Sequence, residues 1–306
     1  MKLDARASHI VVGPGALGRT LAHALADRCA VTLLARRPFP TRQTLITPEG
    51  ESITRVLPVL RPEELAGRDA PAFCHLTTKA FVAERAAAAL LGTVPGTPLV
   101  LWQNGFGVQP RLTARWPGPV LCASTTEGAY VIDDATAVHA GRGESVIGHL
   151  HGRYTGLART LAATLQNAGL KAAAVDDIAT RLWHKLAVNA AINPLAALYE
   201  VPNGALAEPR FDAELAAVVE EIAPILAANG IAPPSGQGAS GWRQRVMQVI
   251  QATANNRASM LQDIDAGRPT ERKAILAPLI ERAEHHHLPC ATLCSLHARL
   301  AAKEAR

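Results

Sequence analysis

The run Ile10-Val11-Val12-Gly13-Pro14-Gly15-Ala16-Leu17-Gly18 constrains this chain more than any other segment. A short apolar strand leads directly into Gly-x-Gly-x-x-Gly. The segment after it carries Leu17, Leu21 and Leu25 at the spacing of one helix face. Strand, glycine turn and helix in that order are the fingerprint of a dinucleotide-binding βαβ unit. Gly13 allows the tight turn, Gly15 lets the backbone approach a pyrophosphate, and Gly18 lets the helix pack closely on the strand. Pro14, Ala16 and Leu17 complete the turn and the helix start, whose unpaired N–H groups point at phosphates.

The next strand, Ala30-Val31-Thr32-Leu33-Leu34-Ala35, ends on Arg36 and Arg37, where an NAD-binding unit usually carries an acidic residue. A carboxylate there repels a 2′-phosphate, whereas a guanidinium binds one through charge-assisted hydrogen bonds. NADP(H) is therefore the expected cofactor, with Arg36 the expected phosphate partner.

A chain of 306 residues suits two domains, and nearly half of its residues are apolar, enough for sizeable cores. The net charge of +5 is spread over scattered arginines, with no basic run and no basic-aromatic interleaving, so nucleic acid is not expected. Asp4 close behind Met1, and a first apolar run too short for a signal, argue against secretion. No stretch reaches the roughly 20 apolar residues that span a bilayer. A cytoplasmic protein without a membrane partner is expected. Cys29, Cys74, Cys122, Cys290 and Cys294 are odd in number and lack framework spacing, which reads as free thiols. His285-His286-His287 lies near Cys290, Cys294 and His297 but has no second metal-spaced pair, so no metal is expected.

Up to about residue 175, strand-like and helix-like segments alternate. The strands read as Ser8–Val12, Ala30–Ala35, Ala72–Thr77, Pro98–Gln103 and Val120–Thr125, with helices at Phe81–Leu91 and after Gly107. This predicts an α/β, Rossmann-like, doubly wound parallel sheet. Ala129–Ile132, Ala135–His139 and Ser145–Gly148 read as a small antiparallel addition, Thr155–Ala168 as a helix and Lys171–Val175 as a last strand. Beyond Asp176-Asp177 only helical periodicity remains, at Ile178–Ala191, Arg210–Asn229, Gly241–Asp265, Glu271–His286 and Ala291–Lys303. The expected division is residues 1–175 for the dinucleotide and an all-α domain, 176–306, for the substrate.

Two helices carry polar residues where a core helix is apolar. Lys185, Asn189 and Asn193 fall at i, i+4 and i+8 of one, which stacks them on one face. Asn256, Ser259 and Asp263 fall at i, i+3 and i+7 of what reads as another. Glu271 follows in Pro269-Thr270-Glu271, where a first-turn acid also suits the helix dipole. In the first half, Thr77-Thr78-Lys79-Ala80 and Gln103-Asn104-Gly105 stand at the C-terminal ends of the third and fourth strands, where open α/β sheets bind ligands.

Over almost its full length the chain resembles the ketopantoate reductase (2-dehydropantoate 2-reductase) family, NADPH-dependent enzymes of pantothenate synthesis. The resemblance rests on Gly13–Gly18, Asn104-Gly105, Leu182-Trp183-x-Lys185-Leu186-Ala187-Val188-Asn189-x-x-Ile192-Asn193-Pro194 with Pro202-Asn203-Gly204, and Ser259-Met260-Leu261-Gln262-Asp263 with Thr270-Glu271. It implies Lys185 as the catalytic lysine and general acid. It implies Asn104, Lys185, Asn189, Asn193, Asn203, Asn256 and Ser259 as substrate-binding. Gly13 to Gly18, Arg36, Lys79, Asn104 and Ala129 match cofactor-binding positions, and Glu271 matches an acid where cofactor and substrate meet. Gln103 stands where the family often has His, and His285-His286-His287 where it tends to a His-Gly pair. The implied partner is a small 2-keto acid, and a homodimer is allowed for. Two other readings stay open: a reductase of another branched 2-keto acid, and a catalytically silent NADP(H)-binding regulator.

Overall fold

The structure is a computed structural model that describes residues 7–305, so the reading made on Met1 and Asp4 lies outside the described residues. The chain forms two compact units. One holds the residues up to Gln103 together with Val108–Ala179, and the other holds Asn104–Gly107 with the residues from Thr180 onward. A single break at 175/176 misses the short excursion Asn104–Gly107.

The first unit runs β1 (Ser8–Val12), α1 (Ala16–Leu25), β2 (Ala30–Leu34), β3 (Arg42–Ile46), β4 (Ser52–Val56), β5 (Val59–Leu60), β6 (Phe73–Leu76), α2 (Ala80–Ala88), β7 (Leu99–Leu101), α3 (Val108–Arg115), β8 (Val120–Thr125), β9 (Gly128–Val131), β10 (Thr136–Gly141), β11 (Ser145–Gly148), α4 (Thr155–Asn167) and β12 (Ala172–Ala174). One sheet has the order β12-β11-β8-β7-β6-β1-β2-β5. It is parallel from β5 through β8. Its central strands read as unbroken apolar runs because both faces are covered, and Val11, Val100, Leu101 and Leu121 have no exposed surface. The order reverses at β1 and β6, so the C-terminal ends of those two strands form the switch point at which such sheets take ligands.

Three corrections apply to this half. Ser145–Gly148 belongs to the large sheet, antiparallel to β8, and not to a separate addition. The addition is a four-stranded sheet, β4-β3-β10-β9, in which β3 and β10 are parallel. Its β3–β4 hairpin went unread because β4 is largely exposed and carries almost no buried apolar row. Helix α1 lies between the sheets, touching β1 and β2 on one side and β3, β9 and β10 on the other.

Polar groups inside this unit satisfy one another. The Trp102 indole N–H donates to His75 Nδ1 at 3.2 Å, so His75 carries its proton on Nε2 and donates it to His9 Nδ1 at 2.9 Å. Both rings are therefore neutral. Burial pushes His9 down to about 4 and holds His75 well below its usual value.

The second unit is helical among the described residues: α5 (Ile178–Tyr199), α6 (Asp212–Ala228), α7 (Gly238–Ala252), α8 (Ser259–Asp265), α9 (Arg272–His285) and α10 (Ala291–Glu304). Its core draws on all six. Helix α5 outruns the expected end at Ala191, passing through Pro194 to Tyr199. Pro194 forfeits one backbone hydrogen bond, but Ala190 to Ala197 are buried and their packing offsets that loss. The chain then turns at Glu200, φ +56°, and Val201 N–H caps Ala196 C=O at 3.1 Å.

The expected single helix Gly241–Asp265 is two helices, with residues 253–258 non-helical between them. The cause is tertiary. Asn203 N–H donates to Asn256 C=O at 3.0 Å and Gly204 N–H to Ala254 C=O at 2.9 Å, so those carbonyls are taken by a distant segment. A Cβ on Gly204 would sit 2.8 Å from Ala254 Cβ, so only glycine docks there. Asn256 consequently lies in a turn and does not share a helix face with Ser259 and Asp263. No helix among the described residues is long and apolar enough to cross a membrane.

Candidate functional site

In the first unit the glycine turn is built as its sequence requires. Gly13 has φ +95°, and a Cβ on it would come within 2.7 Å of Thr78 Cγ2. A Cβ on Gly18 would collide with Gly13 C=O and the Thr77 hydroxyl. Above Gly15 the space is open, with nothing within 4 Å of where a Cβ would be. Gly15 is the N-cap of α1, and neither a capping side chain nor a first-turn acid satisfies that helix start. The Thr77 hydroxyl donates to Gly13 C=O at 2.7 Å and ties the ends of β1 and β6 together. The Thr78 hydroxyl is buried without a partner. An open approach over Gly15, an uncapped helix start and an orphaned hydroxyl at the switch point fit an anionic dinucleotide. In the sequence Thr78 is only part of a strand end; the fold places it beside Gly13.

The two arginines after β2 differ. Arg37 makes a bidentate pair with Asp134, Nη1 to Oδ2 at 2.5 Å and Nη2 to Oδ1 at 2.6 Å. Arg36 is exposed and has no hydrogen-bond or ion-pair partner among the described residues. Lys79 is the N-cap of α2, and Ala129 lies on β9, paired with His139 on β10.

In the second unit three sequence-distant side chains meet. Lys185 Nζ, from α5, donates to Asn104 Oδ1 at 2.9 Å. Asn104 Nδ2 donates to Glu271 Oε2 at 3.2 Å. The amide orientation follows from chemistry, because an ammonium only donates and a carboxylate only accepts. Burial lowers Lys185 to about 8, and the Glu271 charge partly opposes that shift. Glu271 is itself buried at the N-cap of α9.

The Asn104 loop is held where it is by Gly105. Its φ is +82°, and a Cβ there would run into Ala274 C=O on α9. Phe106 N–H donates to that same carbonyl at 3.1 Å, and the Phe106 ring packs on Trp183 with centroids 4.5 Å apart. Sequence reasoning did not foresee Phe106 and Trp183 as supports. Two aromatics flanking motif residues in a chain this poor in aromatics were the available signal.

The remaining sequence-derived residues are spread over the same unit. Asn189 is half-buried and Asn193 buried on α5, on the face of Lys185, and neither makes a side-chain hydrogen bond among the described residues. Asn203 is buried and donates from Nδ2 to the Thr253 hydroxyl at 2.9 Å, leaving its own Oδ1 buried and unpaired. Asn256 and Ser259 are exposed, the latter as the first residue of α8. No group of three or more His, Cys, Asp or Glu that could hold a metal occurs among the described residues.

The comparisons with known proteins agree with this layout. The family model "Ketopantoate reductase PanE/ApbA" matches residues 9–152, and its C-terminal companion, "Ketopantoate reductase PanE/ApbA C terminal", matches residues 177–304. The chain is 31% identical over 300 residues to 2-dehydropantoate 2-reductase of Vibrio cholerae, covering 95% of this chain and 96% of that one. Among solved structures, D-mandelate dehydrogenase with NADH and anilino(oxo)acetate superposes with a TM-score of 0.89 at 20% identity, covering 97% and 98% of the two chains. A dimeric ketopantoate reductase from Staphylococcus aureus superposes with a TM-score of 0.80 at 21% identity, covering 97% and 99%. Those two likenesses speak for the fold. Two family models that together span most of the sequence, and a relative matched over nearly its whole length, make this chain a member of the ketopantoate reductase family.

Proposed function

We propose that this protein reduces 2-dehydropantoate to pantoate, with NADPH as the reductant and Lys185 as the proton donor. The observation that carries the reading is the part-buried hydrogen-bonded chain Lys185–Asn104–Glu271. Residues 1–175 are assigned to the dinucleotide, through Gly13–Gly18, Arg36, Lys79 and Ala129, and residues 176–306 to the keto acid. A bound nicotinamide supplies the hydride.

The protein's own residues supply charge, proton and orientation. Reduction of a ketone builds negative charge on its oxygen, and an ammonium aimed there stabilises the charge and donates the proton. With its value near 8, Lys185 is largely protonated at neutral pH yet a stronger acid than an ordinary lysine. Asn104 takes one of its three protons and fixes its direction. Glu271 anchors Asn104 and keeps the Lys185 value from falling further. Asn189 and Asn193, one and two turns along the same face, are amide groups available to the substrate carboxylate and hydroxyl, with Asn203, Asn256 and Ser259 as further contacts. Neutral side chains suit this task, because a second cation nearby would lower Lys185 further.

The test is steady-state NADPH and NADH oxidation with ketopantoate and a panel of branched and aryl 2-keto acids. Ketopantoate with NADPH is expected to give the highest kcat/KM. A tenfold or greater preference for another acid, or for NADH, would replace this reading with a different 2-keto acid reductase. No turnover with any acid, despite dinucleotide binding, would point to a silent regulator. A homodimer is the assembly we adopt, supported by the dimeric staphylococcal relative, and light scattering on the eluted protein checks it.

A further inference from the structure

We propose that Asp134 sets how strongly this chain prefers a dinucleotide bearing a 2′-phosphate. It does so by occupying Arg37, so that of the two arginines after β2 only Arg36 is left for that phosphate. The inference rests on the reading of the first unit as an NADP(H) site. It adds a specificity-determining residue outside the glycine motif and outside the residues assigned above.

The argument starts from the pair itself. Both terminal nitrogens of Arg37 are spent on the two oxygens of Asp134. Exposed ion pairs usually contribute little, because two mobile side chains must be ordered to make them. This one is different on both sides. The turn that carries Asp134 is held by contacts other than the pair. Arg19, fully buried on α1, donates to Asp133 C=O at 2.9 Å and to Asp134 C=O at 3.1 Å. Gln43 Nε2, also buried, donates to Asp134 C=O at 3.1 Å. The Asp133 carboxylate accepts from Ala135 N–H and Thr136 N–H and closes the turn on itself. On the other side, the Arg37 guanidinium lies over the Phe39 ring, 5.8 Å from its centroid, as that of Arg19 does. The bidentate geometry therefore needs little further ordering.

The consequence is electrostatic. Two adjacent arginines at the end of β2 would present two positive charges to a phosphate, and a neutralised Arg37 leaves one. The same helix that offers its N-terminus to the pyrophosphate holds the turn through Arg19, so the restraint is built into the dinucleotide-binding unit.

The experiment measures equilibrium dissociation constants of NADPH and NADH for Asp134→Asn, Arg37→Ala, the double variant and Arg36→Ala, with thermal unfolding of each as a fold control. Asp134→Ser, which keeps a turn-forming residue, replaces Asn if that variant is unstable. Asp134→Asn is expected to raise the NADPH preference by roughly three- to tenfold, with NADH affinity little changed. In the Arg37→Ala background the same substitution should give a clearly smaller gain. An unchanged or lowered preference overturns the proposal. So does a gain of equal size without Arg37, which would mean that Asp134 acts through its own charge alone. Arg36→Ala separates the two levels. If it leaves the preference unmoved, the phosphate reading of Arg36 fails and this inference falls with it. If it lowers the preference while Asp134→Asn does not raise it, only the role of Asp134 is lost.

Discussion

In the first unit the surface we assign to a ligand is backbone: Gly13, Gly15 and Gly18 remove side chains so that a turn and a helix start stand open. In the second it is side chain: Lys185, Asn104 and Glu271 converge from α5, a short loop and the start of α9. Buried bases behave differently in the two. His9 and His75 are neutral, and the one N–H that His75 carries is spent on His9 while its other nitrogen accepts from Trp102. Lys185 is buried beside a carboxylate that holds up its charge. A scaffold for a bound cofactor needs shape and fixed dipoles, whereas a group that gives up a proton needs a tuned value.

The largest expected effect separates these two designs. Lys185→Ala should lower kcat for ketopantoate by about 10²–10⁴-fold or more, since both the acid and the oxyanion partner are lost. The NADPH dissociation constant should hardly move. If turnover stays near that of the parent protein, Lys185 is not the acid, and the contrast between the units collapses.

The next effect belongs to the first unit and concerns stability. Burial lowers His9 to about 4, and burial with nearby Arg55 and Arg19 lowers His23 to about 4. Both ring nitrogens of His23 are buried without partners. A base whose folded value lies below its unfolded value near 6.5 adds stability that is complete above about pH 6.5. That stability is lost as the unfolded chain takes up protons between there and about 4. Each histidine contributes on the order of 3 kcal/mol to that loss. Hydrogen exchange at pH 7.5 and pH 5 should show β1, β6 and α1 losing protection more than α5 and α6. His23→Leu should flatten the acid limb. Uniform loss over both units would remove the distinction.

How much of this was legible in the sequence follows from how local each feature is. The glycine motif is complete within six residues, and every expectation placed on its strand and helix rests on neighbours. Lys185, Asn189 and Asn193 share a face because one uninterrupted helix carries them. Asn256 was misread for the opposite reason. Its local pattern continues a helix, but the amides of Asn203 and Gly204 capture the carbonyls of residues 254 and 256. The partnership of Asn104 with Lys185 and Glu271 spans 81 and 167 residues of chain, and no periodicity reports on it. The small sheet is half-legible, because turn residues flank β9 and β10 while β4 is largely exposed, its Ile53 and Val56 included.

A smaller effect probes the turn that sequence misread. Ser259 opens α8 and Asn256 lies in the turn before it, both exposed. A hydrogen bond to a carboxylate contributes about 1.5–3 kcal/mol, so Ser259→Ala should raise KM for ketopantoate by roughly an order of magnitude. Asn256→Ala should act similarly even though the two no longer share a helix face. Weakened NADPH binding with KM intact would put this turn on the cofactor side and blur the division between the units.

The smallest effect is the most specific to the second unit. If Lys185 gives up its proton during reduction, kcat should fall as pH rises through about 8, where the ammonium is lost. Glu271 opposes the lowering of that value, so Glu271→Gln, which keeps an acceptor for Asn104 Nδ2, removes the opposing charge and should move the alkaline limb to lower pH. The expected shift is about one unit or less, since burial remains the larger cause. The readout is the position of the limb and not the height of the profile, because lost packing would scale the rate without moving it. A limb that stays in place, or moves upward, would mean that the carboxylate holds Asn104 without tuning Lys185, and the second unit would then work by shape alone, as the first does.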